Sequence, residues 1–114
     1  MRFTFGIITS DNQEARVQKI INDINNYSPD SEIVVVGGSD MYNDVKHIHF
    51  DETKKSGWIT RKKNLVTKYA SNENIVYMHD YITIDKNWND GWEWFGDNWD
   101  ICMTAVNNPD GTRF

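Results

Sequence analysis

Cysteine is almost absent from this chain. The single one, Cys102, rules out an intramolecular disulfide. Its place inside the apolar run ICMTAV makes it a buried packing residue rather than a thiol nucleophile. No GxSxG elbow occurs, so an esterase-type serine is not indicated. Neither GxGxxG nor GxxxxGK[ST] is present, which removes the dinucleotide fingerprint and the P-loop. Three His and one Cys lack zinc-type spacing, so a structural zinc is not expected. No apolar stretch approaches the ~18 residues of a membrane span, and no cationic start leads into a signal-length run. A cytoplasmic protein without a membrane span is therefore expected. Positive charge is also scarce. The net charge of −5 argues against nucleic acid as a partner, because phosphate backbones attract basic surfaces.

The cations that do occur are unevenly placed. Lys54, Lys55, Arg61, Lys62, Lys63 and Lys68 crowd one segment, and only Lys86 follows before Arg113. Such a cluster suits a small anionic ligand, or simply a solvated helix face. Length and composition fit one globular domain over 1–114, with aromatic residues at 13% including five Trp.

Phe3 to Thr9 (FTFGIIT) reads as a first strand. Val17, Ile20, Ile21 and Ile24 then recur at helical spacing. Ser10 or Asp11 would cap that helix, with Gln13 or Glu14 completing a capping box. Glu32 to Val36 (EIVVV) is continuous and β-branched, the pattern of a parallel strand covered on both faces. Lys46 to Phe50 is a weaker third strand. A second helix is predicted from about Trp58 to Ala70, with Ile59, Lys62, Val66, Tyr69 and Ala70 on one face and Lys62 snorkelling to solvent. Asn74 to Met78 (NIVYM) is the fourth strand. A short helix fits Trp88 to Phe95, and Ile101 to Val106 is a fifth strand. Alternating strands and helices predict an α/β, three-layer Rossmann-like domain with a mostly parallel sheet.

In such sheets ligands lie outside the carboxyl ends of the strands. Those ends are Thr9-Ser10, Gly37-Gly38-Ser39-Asp40, Phe50-Asp51-Glu52 and His79-Asp80. All are polar or glycine-rich. Gly37-Gly38 either makes a tight turn or lets a ligand approach the backbone. His47 and His49 point to one face of a strand and read as surface or packing histidines. The Trp-dense stretch from Trp88 to Trp99 supplies either stacking surfaces for a sugar or core packing. His79-Asp80 either holds a metal and a phosphate or is a solvated strand end.

GWITRKKN (57–64), Ala70 and IVYMHD (75–80) carry the most information as a set. A basic helix start precedes, by a fixed step, a buried strand that ends in an acidic residue. In this order the sequence resembles the N-terminal, nucleotide-binding half of GT-A-fold glycosyltransferases, close to the family 2 group. Residues 3–106 follow that family's order of elements, with Gly57, Lys63, Asn64 and Ala70 at its steps and His79-Asp80-Tyr81 on its metal–diphosphate motif. The resemblance implies a sheet of nucleotide-diphospho-sugar transferase type and a domain representing about half of a complete enzyme, without the acceptor half. It implies a nucleotide sugar of UDP or GDP type as ligand and a divalent metal, Mn or Mg, as cofactor. Asp80, with His79, would hold the metal; Arg61 and Lys63 would face phosphate; Thr9, Asp40 and Asn64 would contact the nucleoside. Catalytic residues are not assigned: for the base that an acceptor hydroxyl would need, Asp97 and Asp100 are only the nearest remaining carboxylates. The chain departs from the family where Gly37-Gly38 replaces an acidic pair and where the metal motif keeps one carboxylate. The alternative is a non-catalytic nucleotide-binding or self-associating module, forming a homodimer through the Trp-rich surface.

Overall fold

The computed structural model describes residues 1–38, 41–54 and 58–114. It contains β1 (Phe3–Ile8), α1 (Glu14–Tyr27), β2 (Glu32–Val36), β3 (Lys46–Ile48), α2 (Ile59–Tyr69), β4 (Asn74–His79) and α3 (Trp88–Phe95). The four strands form one all-parallel sheet in the order β3-β2-β1-β4. Phe5 lies between Ile33 of β2 and Val76 of β4, so β1 is central and the sheet grows outward from it in both directions.

Side chains alternate across a strand, and here each face finds its own cover. Phe3, Phe5 and Ile7 of β1 join Ile33 and Val35 of β2 on one side. The buried stripe of α1 (Val17, Ile20, Ile21, Ile24) packs on that face. Each of those aliphatic side chains contributes on the order of 1.5–3 kcal/mol when fully buried. Trp88 and Trp92 of α3 complete the layer, with ring centroids 5.4 and 5.6 Å from Phe3. Val34 and Val36 face the other way, with Phe50 and with Val66 of α2. The helix approaches β1 so closely that a Cβ on Gly6 would collide with the Val66 side chain.

The amino end of the sheet is tied by one carboxylate. Glu32 accepts hydrogen bonds from Thr4 Oγ1 at 2.9 Å and from the Ser71 N–H at 2.8 Å, and it pairs with Lys46 Nζ at 2.8 Å. Burial raises its pKa, but the bonds from Lys46, Ser71 and Thr4 outweigh this and hold it at about 2.

The structure departs from several expectations. Helix α1 starts at Glu14, its Gln13 cap makes no side-chain capping bond, and Asn12 adopts φ 66°; that left-handed turn delays the helix past Ser10 and Asp11. On α2, Ile59 and Tyr69 are exposed, and the buried positions are Lys62 and Val66. Lys62 turns inward instead of snorkelling, because acceptors wait for it at the end of β1. The expected fifth strand at 101–106 does not form: among the described residues it joins no sheet, a Phe114 N–H bond reaches only its last carbonyl, that of Val106, at 2.9 Å, and Ile101 and Met103 are more than 90% exposed. Cys102 is consequently half-buried on a strandless segment rather than enclosed in a core.

Candidate functional site

From β1 the chain passes through α1 to β2 on one side, and β4 joins β1 on the other. The connections thus diverge between β1 and β4, which makes their carboxyl ends a topological switch point. A cleft of about 380 Å³ opens there, lined by Ile8, Thr9, Ser10, Asp11, Glu52, Lys62, His79 and Asp80. Strand pairing sets its walls, since Ile8 is in register with His79, so Thr9 and Asp80 leave the sheet side by side.

Thr9 organises the cleft. Its N–H donates to Val36 O at 3.0 Å, the last link between β1 and β2. Its hydroxyl donates to Asp80 Oδ2 at 3.0 Å, joining two strand ends that are 71 residues apart in sequence. Its carbonyl accepts from Lys62 Nζ at 2.9 Å. Lys62 is 4% exposed and also pairs with Glu52 Oε1. Its ammonium lies 5.1 Å from the Phe50 ring centroid, close enough for a cation–π contact. Gly37 permits this convergence: at φ +102° it passes so close to Thr9 O that any Cβ would clash.

The residues singled out in the sequence divide into three groups. Thr9, His79 and Asp80 come together on the cleft, with the His79 ring stacked on Tyr81 at a centroid distance of 5.5 Å. Arg61, Lys63 and Asn64 are not among the described residues lining the cleft. Arg61 is exposed with its guanidinium over the Trp58 ring at 5.1 Å, Lys63 is half-buried on α2, and Asn64 is exposed there. Asp40, with Gly57 and Lys55, lies outside the described residues. Asp97 lines a separate hollow with Met1, Phe3 and Asn74, at the amino ends of β1 and β4. That places it across the sheet from the cleft, roughly 16 Å away at ~3.3 Å per strand residue. His47 is structural, its Nε2 2.8 Å from Gly37 O. Trp88, Trp92 and Trp99 are engaged in ring packing, whereas Trp94 is 86% exposed.

Sequence reasoning missed Lys62 and Glu52 as partners in the site. The available signal was a lysine on the apolar face of a helix, four residues before the buried Val66.

The donor set of the cleft is hard and oxygen-rich: Asp11, Glu52, Asp80, Thr9 and Ser10. Among the described residues no three His, Cys, Asp or Glu side chains cluster closely enough to hold a metal ion by themselves. One carboxylate is nevertheless what Mg²⁺-type sites require when substrate phosphates and water supply the other oxygens. Asp80 therefore fits a metal that arrives with a phosphate ligand.

No protein-family model matches the chain, and no curated protein matches it significantly. Solved structures do. The chain is similar to the crystal structure of S. aureus TarS residues 1–349, with TM-score 0.64 and 17% identity over 83% of this chain. A second S. aureus TarS structure matches with TM-score 0.61 and 18% identity over 80% of this chain. The chain spans 32% and 19% of those two chains respectively. At these identities the likeness is one of fold: an all-parallel, Rossmann-like α/β unit.

Proposed function

We propose that this domain binds a nucleotide-diphospho-sugar of UDP or GDP type in the β1/β4 cleft and serves glycosyl transfer to an acceptor, in the manner of a GT-A, family 2-like protein. The observation that carries the reading is the Thr9–Asp80 hydrogen bond at the switch point. It presents a carboxylate where sheets of this type bind phosphate-bearing ligands. Asp80, with His79 beside it, would hold a Mn or Mg ion together with the diphosphate; when bound, such an ion stabilises the charge of a departing nucleoside diphosphate. Thr9 fixes the Asp80 carboxylate through Oδ2, so Oδ1 would be the oxygen offered to the metal. Likeness to TarS, a glycosyltransferase, supports the reading.

The test is calorimetric titration of UDP and GDP, with and without Mn²⁺, into the wild type and Asp80→Ala. Metal-dependent binding that disappears in the variant is expected. Absence of binding by either nucleotide sinks the reading.

A second reading, self-association, rests on a different observation. Trp94, Ile101, Met103 and Phe114 are each more than 80% exposed, and the outer edge of β4 has no strand partner among the described residues. Apolar surface and an open edge of this kind suit a second copy of the chain. Sedimentation velocity across the micromolar range would reveal a concentration-dependent dimer; a monomer throughout rejects it.

A further inference from the structure

Lys62 is the one charged side chain among the described residues that is buried, and it is buried at the floor of an open cleft. Withdrawing an ammonium from water is expensive, and a buried ion pair is often no better for stability than apolar residues of the same volume. Packing alone therefore gives a weak account of a lysine at this position. An ammonium has three donors and no acceptor. Here two of its contacts are the Thr9 carbonyl and the Glu52 carboxylate. The two partners differ in kind. Thr9 directly follows β1, and its backbone is held to β2 by the N–H bond to Val36 O. Glu52 comes from the turn after β3 and keeps its side chain 24% exposed. It lines the same cleft as Asp80.

We propose that Lys62 is the phosphate-receiving cation of this cleft and that Glu52 is its internal stand-in, displaced when a ligand phosphate arrives. The inference rests on the reading of the cleft as a site for a phosphate-bearing ligand. A carboxylate and a phosphate offer an ammonium the same kind of anionic oxygen, so exchanging one for the other never leaves the buried charge unpaired. The exchange also corrects the charge of the site. With Glu52 in place, three carboxylates (Asp11, Glu52, Asp80) and one ammonium line the cleft, a balance that repels anions. With Glu52 swung into water, the ammonium is released to the ligand and one negative charge leaves the floor. The cation cluster seen in the sequence thus contributes through its buried member rather than through Arg61.

The experiment is a metal-free titration of inorganic pyrophosphate, UDP and uridine, followed by amide NMR shifts, which reach millimolar affinities. Wild type, Glu52→Gln and Lys62→Met are compared. Glutamine still accepts a hydrogen bond from Nζ but no longer competes as an anion. Pyrophosphate and UDP are expected to bind Glu52→Gln about tenfold tighter than wild type, as removal of a close competing charge requires. Uridine should be indifferent to both substitutions, and Lys62→Met should lose pyrophosphate. Glu52→Gln affinity equal to or weaker than wild type overturns the proposal, whether or not Lys62→Met folds. If UDP binds with Mn²⁺ through Asp80 yet ignores both substitutions, this inference fails while the proposed function stands. If neither UDP nor pyrophosphate binds any variant, with or without Mn²⁺, both fall.

Discussion

Replacing Glu32 by glutamine should make the fold less stable at neutral pH and change how it responds to acid. The carboxylate joins four parts of the chain: Thr4 of β1, Glu32 itself on β2, Lys46 of β3 and Ser71 between α2 and β4. Its pKa falls from the ordinary 4.5 to about 2. At about 1.36 kcal/mol per pH unit the shift corresponds to a ceiling near 3.4 kcal/mol. Water still reaches the group, whose side chain is 19% exposed, so screening leaves about 1–2 kcal/mol. The sign follows from linkage. A depressed carboxylate pKa stabilises the folded state fully above about 4.5, and that contribution drains away as pH falls toward 2. Asp23, Asp51 and Asp110 also have lowered pKa values, so the acid response of the wild type alone does not isolate Glu32. The difference between wild type and Glu32→Gln does. Urea unfolding at pH 7, 5, 4 and 3 should show a gap of about 1–2 kcal/mol at the two higher values, narrowing at the two lower ones. A gap that stays constant from pH 7 to 3 would refute the linkage argument. No gap at pH 7 would mean that the hub contributes nothing.

Other predictions follow from packing and from the cleft. Gly6→Ala places a methyl against Val66, and overpacking of this kind should cost about 1–3 kcal/mol in urea unfolding; paired with Val66→Ala, much of that loss should return. Trp92→Ala removes the ring that touches Phe3, Trp88, Phe95 and Trp99, and should lower stability by about 3–5 kcal/mol, readable as a fall in Tm. Cys102→Ser, on a half-buried segment without strand structure, should leave Tm within about 2 °C of wild type. Thr9→Val keeps shape but removes the hydroxyl that steadies Asp80, so metal-dependent UDP affinity should fall by about tenfold while the far-UV spectrum is unchanged.

What could be read from the sequence, and what could not, separates by the range of the interactions involved. EIVVV announces a strand covered on both sides because Ile33 to Val36 each need an apolar neighbour, and all four are indeed buried. The α1 stripe is likewise a local property, written in the spacing of Val17, Ile20, Ile21 and Ile24. Thr9 and Asp80 are remote in sequence, yet they were accessible to reasoning because a general rule gathers strand ends in a parallel sheet. Ile101 to Val106 shows the opposite case. Its apolar residues make extended backbone suitable, but a strand exists only where another backbone offers a ladder of hydrogen bonds, and among the described residues the segment receives a single bond, from Phe114 N–H to Val106 O, and joins no sheet.

Lys62 is the most instructive position. Its place on an apolar helix face suggested a stem lying on the core with its charge in water. The side chain instead points its charge at Thr9, 53 residues earlier, and at Glu52. Nothing within one turn of α2 specifies those acceptors. They exist because β1 ends beside β2, because Gly37 lets Thr9 come close, and because the turn after β3 carries a carboxylate over the same spot. Where a local rule fails through so many independent long-range arrangements, conflict between local preference and final structure marks a functional position more often than a packing accident. That is why the cleft's chemistry is best sought at the buried lysine and its displaceable partner, rather than at the exposed cations beside it.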